Sequence, residues 1–309
     1  MVIAGLCIIL CGIILFLLLN GVDPRLYFDP PTIMLMICAF SSSQLFGFTI
    51  EPFERGIKYL FKPKIEISEV DLNDSIHAFY KFYKAIIYMG IIGFFIGATL
   101  TLMNLDDKTA VGPGMSTALI SLIYSIFFAF IIVLPLITAL NNSKMIYNKD
   151  NNQFHMEYIV FTISAIITPF IFIVLCIIFA KGRFKDLIFF PDIVAYIFFF
   201  TGSLVMSKSL RPFYEGIQIV SSKTFTVDEN NKKIIIKTYD FLIKNAIATG
   251  FLLFFINMVV SMIKLIEAKE IFYKLGQIMV PISYGLIIGL MILYPIKKHI
   301  EHMDSTISD

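Results

Sequence analysis

Few residues in this sequence have types and spacing that could do chemistry, and none is arranged for catalysis. The four histidines, His77, His155, His299 and His302, fall outside the long apolar runs. His299 and His302 stand at i and i+3 on a charged tail, a weak metal-ligand spacing. The four cysteines, Cys7, Cys11, Cys38 and Cys176, lie inside apolar runs with no CxxC pair, and they read as small apolar packing residues. There is no phosphate loop, no nucleophile elbow and no carboxylate pair in an apolar setting. The one acid inside an apolar run is Asp192, near the mouth of its helix. The expectation is a protein that is not an enzyme, has no metal site or cofactor, and holds no buried carboxylate in its helices.

The elements that would position these residues are membrane helices. Of 309 residues, 58% are hydrophobic, 16% are charged and 32 are phenylalanine, and the mean hydropathy is +0.82. A soluble chain needs far more polar surface. The net charge of +2 argues against a nucleic-acid partner. A spanning helix needs about 20 apolar residues. Eight runs qualify: 2–20, 32–50, 85–103, 114–140, 158–180, 188–207, 245–263 and 276–296. The first has no basic flank and no small-residue cleavage site, so it reads as a retained helix. Placing both termini in the cytoplasm puts 17 Lys and Arg inside against 8 outside. Segments 51–84 and 208–244 then read as cytoplasmic loops.

The chain also resembles itself. An offset of 160 pairs Pro52-Phe53 with Pro212-Phe213, Gly56-Ile57 with Gly216-Ile217, and Gly90 with Gly250. It pairs Phe94-Phe95-Ile96 with Phe254-Phe255-Ile256, Tyr124 with Tyr284, and Pro135 with Pro295. Glycine and proline matches at one offset are not cheap. They predict an all-α membrane protein of two tandem four-helix units, 1–150 and 151–309, in the same orientation.

Three features of the first unit point to a family. Gly90, Gly93 and Gly97 form one helical stripe at i, i+3 and i+7, where a neighbouring backbone can approach closely. A turn follows, with Asn104-Leu105-Asp106-Asp107 and Gly112-Pro113-Gly114-Met115. The next helix carries Ala118-Leu119, Tyr124, Ala129 and Leu134-Pro135-Leu136. Together with Gly5, Gly12, Pro31 and the stretch from Phe48 to Lys58, these resemble the MotA family, within the MotA/TolQ/ExbB superfamily of ion-driven motor subunits.

The resemblance implies a bacterial inner-membrane stator subunit without enzymatic activity. It implies a ring of such subunits around a single-span partner of the MotB/TolR/ExbD kind, all in contact with membrane lipid. Hydroxyl side chains of that family face the ion route at positions corresponding to Phe94 and to Ser121-Leu122, so Phe94 replaces a small polar group while Ser121 keeps one. In the second unit the matching positions are Phe254 and Pro281-Ile282, with no hydroxyl. The glycine stripe would line the path, and Pro135 and Pro295 would serve as hinges. The family's long cytoplasmic domain is replaced by the short segment 51–84, whose Arg55, Lys58, Lys62 and Lys64 are the candidate partner-facing residues. The competing class is a secondary transporter built from parallel repeats, with Ser41-Ser42-Ser43-Gln44 and Asn257 as its polar site.

Overall fold

The computed structural model of the chain describes residues 1–20, 24–45, 47, 49–61, 68–103, 111–146, 190–221, 229–264 and 278–302. Among them every regular element is helical. Helix α1 is Val2–Asn20, α2 is Pro30–Leu45, α3 is Ile50–Phe61 and α4 is Glu69–Met103. Helix α5, Val111–Ile126, runs through a π-helical segment, Phe127–Val133, into α6, Leu134–Ile146. Then come α7, Phe190–Met206, α8, Leu210–Ser221, and α9, Glu229–Lys264. Helix α10, 278–286, runs through a second π segment, Ile287–Leu293, into α11, Tyr294–His302.

Among the described residues, five helical stretches are long and apolar enough to cross a membrane, or seven if each of two bent helix pairs counts as one span. The expected eighth span, 158–180, lies outside the described residues. The chain is a multi-pass membrane protein.

Two expectations about the elements are corrected. The run 32–50 is not one helix, since α2 ends at Leu45. The segments 51–84 and 208–244 are not loops but helix over most of their described length. Helix α3 is amphipathic: Gly56 and Leu60 are buried while Glu51, Glu54 and Lys58 stay exposed. Such a helix contains no long apolar run, because only one of its faces is buried. Helix α8 makes the same bend, at 101° to α7. Lys208, with φ at 54°, turns the corner between them.

Helix α4 begins with a cap. The Asp71 amide donates to Ser68 Oγ at 3.1 Å, and Ser68 Oγ donates to Asp71 Oδ2 at 2.7 Å. At about 1.5 Å per residue its length is about 52 Å, well beyond a hydrocarbon core of about 30 Å. Its first turns therefore stand clear of the membrane and receive α3. Phe53 stacks on Phe79 at 4.4 Å between ring centroids.

Helix boundaries recur at an offset of 160. Ile50–Phe61 corresponds to Leu210–Ser221, Glu69 to Glu229, and Phe127–Val133 to Ile287–Leu293. Contacts recur too. Phe213 meets Tyr239 as Phe53 meets Phe79. The core does not divide at residue 150. Ile9 and Phe16 share one buried cluster with Phe199 and Met206, and Leu119 and Ile123 share it with Leu252 and Val259. Helix α1 lies along α7, so close that a Cβ on Gly5 would stand 2.5 Å from that of Met206.

Candidate functional site

The glycine stripe faces α5. A Cβ on Gly90 would collide with Ser125 Cβ and stand 2.5 Å from its Oγ. One on Gly93 would stand 2.9 Å from Leu35 Cδ1 and 3.0 Å from Ser121 Cβ, and one on Gly97 would stand 2.9 Å from Ala118 Cβ. Residues 118, 121 and 125 fall on one face of α5 by their i, i+3, i+7 spacing. The stripe and this face close against each other as a helix seam, the packing that small residues permit in a membrane.

The hydroxyls of the seam are engaged within it. Ser121, 2% exposed, donates to the Ala118 carbonyl at 2.7 Å and has the Gly90 carbonyl at 3.2 Å. Ser125 Oγ donates to the Ile86 carbonyl at 3.2 Å. Phe94 and Leu122 are half-buried and pack against the core. Phe94 meets Phe95 edge-on at 5.6 Å. The second half repeats the crossing without hydroxyls. A Cβ on Gly250 would stand 2.7 Å from the Pro281 carbonyl oxygen and 3.2 Å from Gly285 Cα. Gly250 and Gly285 are Gly90 and Ser125 displaced by 160.

Pro135 and Pro295 each stand two residues past a π segment. A proline lacks the N–H that would close an α-helical bond to the carbonyl four residues back. The chain answers by lengthening its bonds: the amides of Leu134 and Tyr294 reach the carbonyls of Ala129 and Gly289, five residues back. The Ile131 carbonyl, which Pro135 cannot serve, has the buried Ser203 Oγ at 3.5 Å. Both candidate hinge prolines thus follow a π-helical segment.

In the charged segment, Arg55 pairs with Glu51 at 3.3 Å and with Asp71, tying α3 to the first turn of α4. Lys58 pairs with Glu54 at 2.7 Å, and that hydrogen bond holds the Glu54 carboxyl below its usual range. Lys62 and Lys64 lie outside the described residues. The polar run in α2 is bonded within α2, to Thr49 and to α4. Ser42 and Ser43 donate to the carbonyls of Ala39 and Phe40, while Gln44 accepts from Thr49 Oγ1 at 2.8 Å and donates to the Ala78 carbonyl at 3.4 Å. His299 is exposed, and no group of three potential metal-binding side chains occurs among the described residues.

One expectation is overturned: the helices do hold a buried carboxylate. Asp192, in the first turn of α7, is 6% exposed. Asn257 of α9 covers it, donating from Nδ2 to Asp192 Oδ2 at 2.9 Å. Proximity to the end of an apolar run gave no sign of burial, because the partner lies 65 residues away. Farther in along α9, Asn245 is fully buried with neither amide atom bonded to another described group.

Residues 52–149 match the family model described as the MotA/TolQ/ExbB proton channel family. The match takes in most of α3, all of α4, the seam and the first π segment, about a third of the chain. No curated protein and no solved structure matches the chain.

Proposed function

We propose that the chain is a membrane subunit of an ion-driven complex of the MotA kind, whose ion-carrying step depends on a partner. The observation that carries this reading is the family match over residues 52–149, which coincides with the α4–α5 seam and the π segment that follows it. On this reading the partner is a single-span subunit of the MotB/TolR/ExbD type, and the complex sits in a bacterial inner membrane with both termini of the chain cytoplasmic. Phe94 and Leu122, which are half-buried, belong to the face of the first half nearest the partner, with Ser121 behind them in the seam. Pro135 and Pro295 relay movement toward the cytoplasmic ends through their π segments. The Arg55–Asp71 pair holds α3 as the compact docking surface that stands in place of a larger cytoplasmic domain.

The chain is a tandem duplication on this reading, supported by the recurrence at 160 of helix boundaries, π segments and the glycine crossings. A five-fold ring cannot be filled equivalently by chains of two units each. Either the first half lines the centre while the second packs outside it as scaffold, or the ring holds an even number of units, and we favour the first arrangement. The seam supports this order, since its first-half copy keeps Ser121 and Ser125 where the second has Pro281 and Gly285.

The test is affinity purification of the full chain from its native membrane. A co-purifying protein with one transmembrane helix, an aspartate in it and a cell-wall-binding domain is the expected result. Its absence, with a small molecule retained at Ser41 to Gln44, would turn the reading toward a carrier.

A further inference from the structure

The buried carboxylate of α7 lies outside the family segment and has no part in the function proposed above. Its surroundings are specific. Asp192 is 6% exposed and has a single hydrogen-bond donor among the described side chains, the neutral amide of Asn257. Tyr284 of α10 lies within electrostatic reach. Tyr196, one turn along α7, is committed elsewhere, donating to the Ala246 carbonyl at 3.0 Å. Helix α1 runs antiparallel to α7, since Gly5 meets Gly202 and Met206 while Gly12 meets Phe198. The part of α1 nearest Asp192 is therefore Leu15 to Leu19, which holds nothing ionisable. No Lys, Arg or His pairs with Asp192 among the described residues.

A buried carboxylate with no paired cation among the described residues is costly to keep ionised, even in the first turn of a helix, and a bound proton or cation relieves that cost. A metal cation would need several further oxygen ligands. The Asn257 group facing the carboxylate is its N–H donor, and no cluster of three metal-binding side chains is present among the described residues. A proton needs only the one oxygen that Asn257 leaves free. We propose that Asp192 and Asn257 form a proton-binding site within this chain, at the outer end of its second half. The site belongs to α7 and α9 and is independent of any ion group that a partner brings. Its counterpart in the first half is absent, because the positions 160 residues earlier are Thr32 and Gly97.

The test is infrared difference spectroscopy of the full chain in liposomes, stepped between acid and neutral pH, on wild type, Asp192→Asn and Asn257→Leu. Wild type should show a protonated-carboxyl stretch that the pH step changes. Asp192→Asn should lose that band, and Asn257→Leu should move it to higher frequency by removing the donor. Circular dichroism and gel filtration establish that each variant is folded. Should Asp192→Asn fail to fold, the band shift in Asn257→Leu decides alone. No such band in wild type, or a band untouched by both changes, overturns the proposal in favour of a permanently ionised carboxylate held at the end of α7. A band that sodium ions abolish at fixed pH overturns it in favour of a metal cation. Neither outcome depends on whether a single-span partner co-purifies.

Discussion

Replacing Gly90 by alanine tests whether the seam is as tight as its geometry says. In an ordinary helix the change stabilises by about 1 kcal/mol, because glycine loses more backbone freedom on folding. Here the new methyl group would collide with Ser125 Cβ and stand 3.1 Å from the Ser121 carbonyl oxygen. Overpacking of a close-packed contact costs about 1–3 kcal/mol, so Gly90→Ala should come out roughly neutral to about 2 kcal/mol destabilised once that gain is subtracted. The informative quantity is the coupling to Ser125→Gly, which places glycine where the second half already has Gly285. Alone, that change gives up a hydrogen bond to Ile86 of about 1 kcal/mol and some helix propensity. Combined, the methyl group occupies the space the serine side chain leaves. A double-mutant cycle, read as thermal unfolding midpoints in one detergent, should therefore show a favourable coupling of at least about 1 kcal/mol. Additive effects, or a Gly90→Ala protein more stable than wild type, would refute the argument. Gly250→Ala provides the contrast. Its obstacle is a backbone oxygen, that of Pro281 at 2.7 Å, which no neighbouring side-chain truncation removes.

Three further outcomes follow from the structure. Pro135→Ala supplies an N–H for the Ile131 carbonyl, so amide hydrogen exchange over residues 131–135 should slow, and unchanged exchange there would show that the π segment has another cause. Membrane-impermeant thiol reagents applied from outside should label cysteines introduced at Asp106 and Glu267 but not at Asn230, and outside labelling at Asn230 would invert the topology. The chain alone in liposomes should pass no more protons than empty liposomes, since Asp192 is the one carboxylate found buried among the described residues and a single site is not a path.

Helices that are apolar all round were legible in the sequence, since a membrane asks only for length and hydrophobicity. So were the glycines of α4, whose spacing announced a close neighbour but not which face of α5 would meet it. The amphipathic helices α3 and α8 were missed because charge made them look like loops; Pro52 and Gly56, and their repeats at 212 and 216, were the available hint. The π segments left a trace only in the prolines that follow them, and the extra residue per turn depends on bonds that composition does not encode. The burial of Asp192 was illegible for a simpler reason. Its cover, Asn257, belongs to a different helix, and contacts between helices far apart in the chain are set by the fold as a whole.

The seating of α1 against α7 has a consequence for how the protein is made. Gly5 rests on Met206 and Gly202, and Gly12 on Phe198, so the surface that receives the first helix is synthesised almost 200 residues after it. At translation rates of about 5–20 residues per second that interval is on the order of ten seconds or more. Throughout it, α1 waits in the bilayer with its small-residue face open to lipid, insertion machinery or the helices of a neighbouring chain. The α1–α7 pairing therefore forms only after α7 has been made, later than any pairing among α2 to α6 can form.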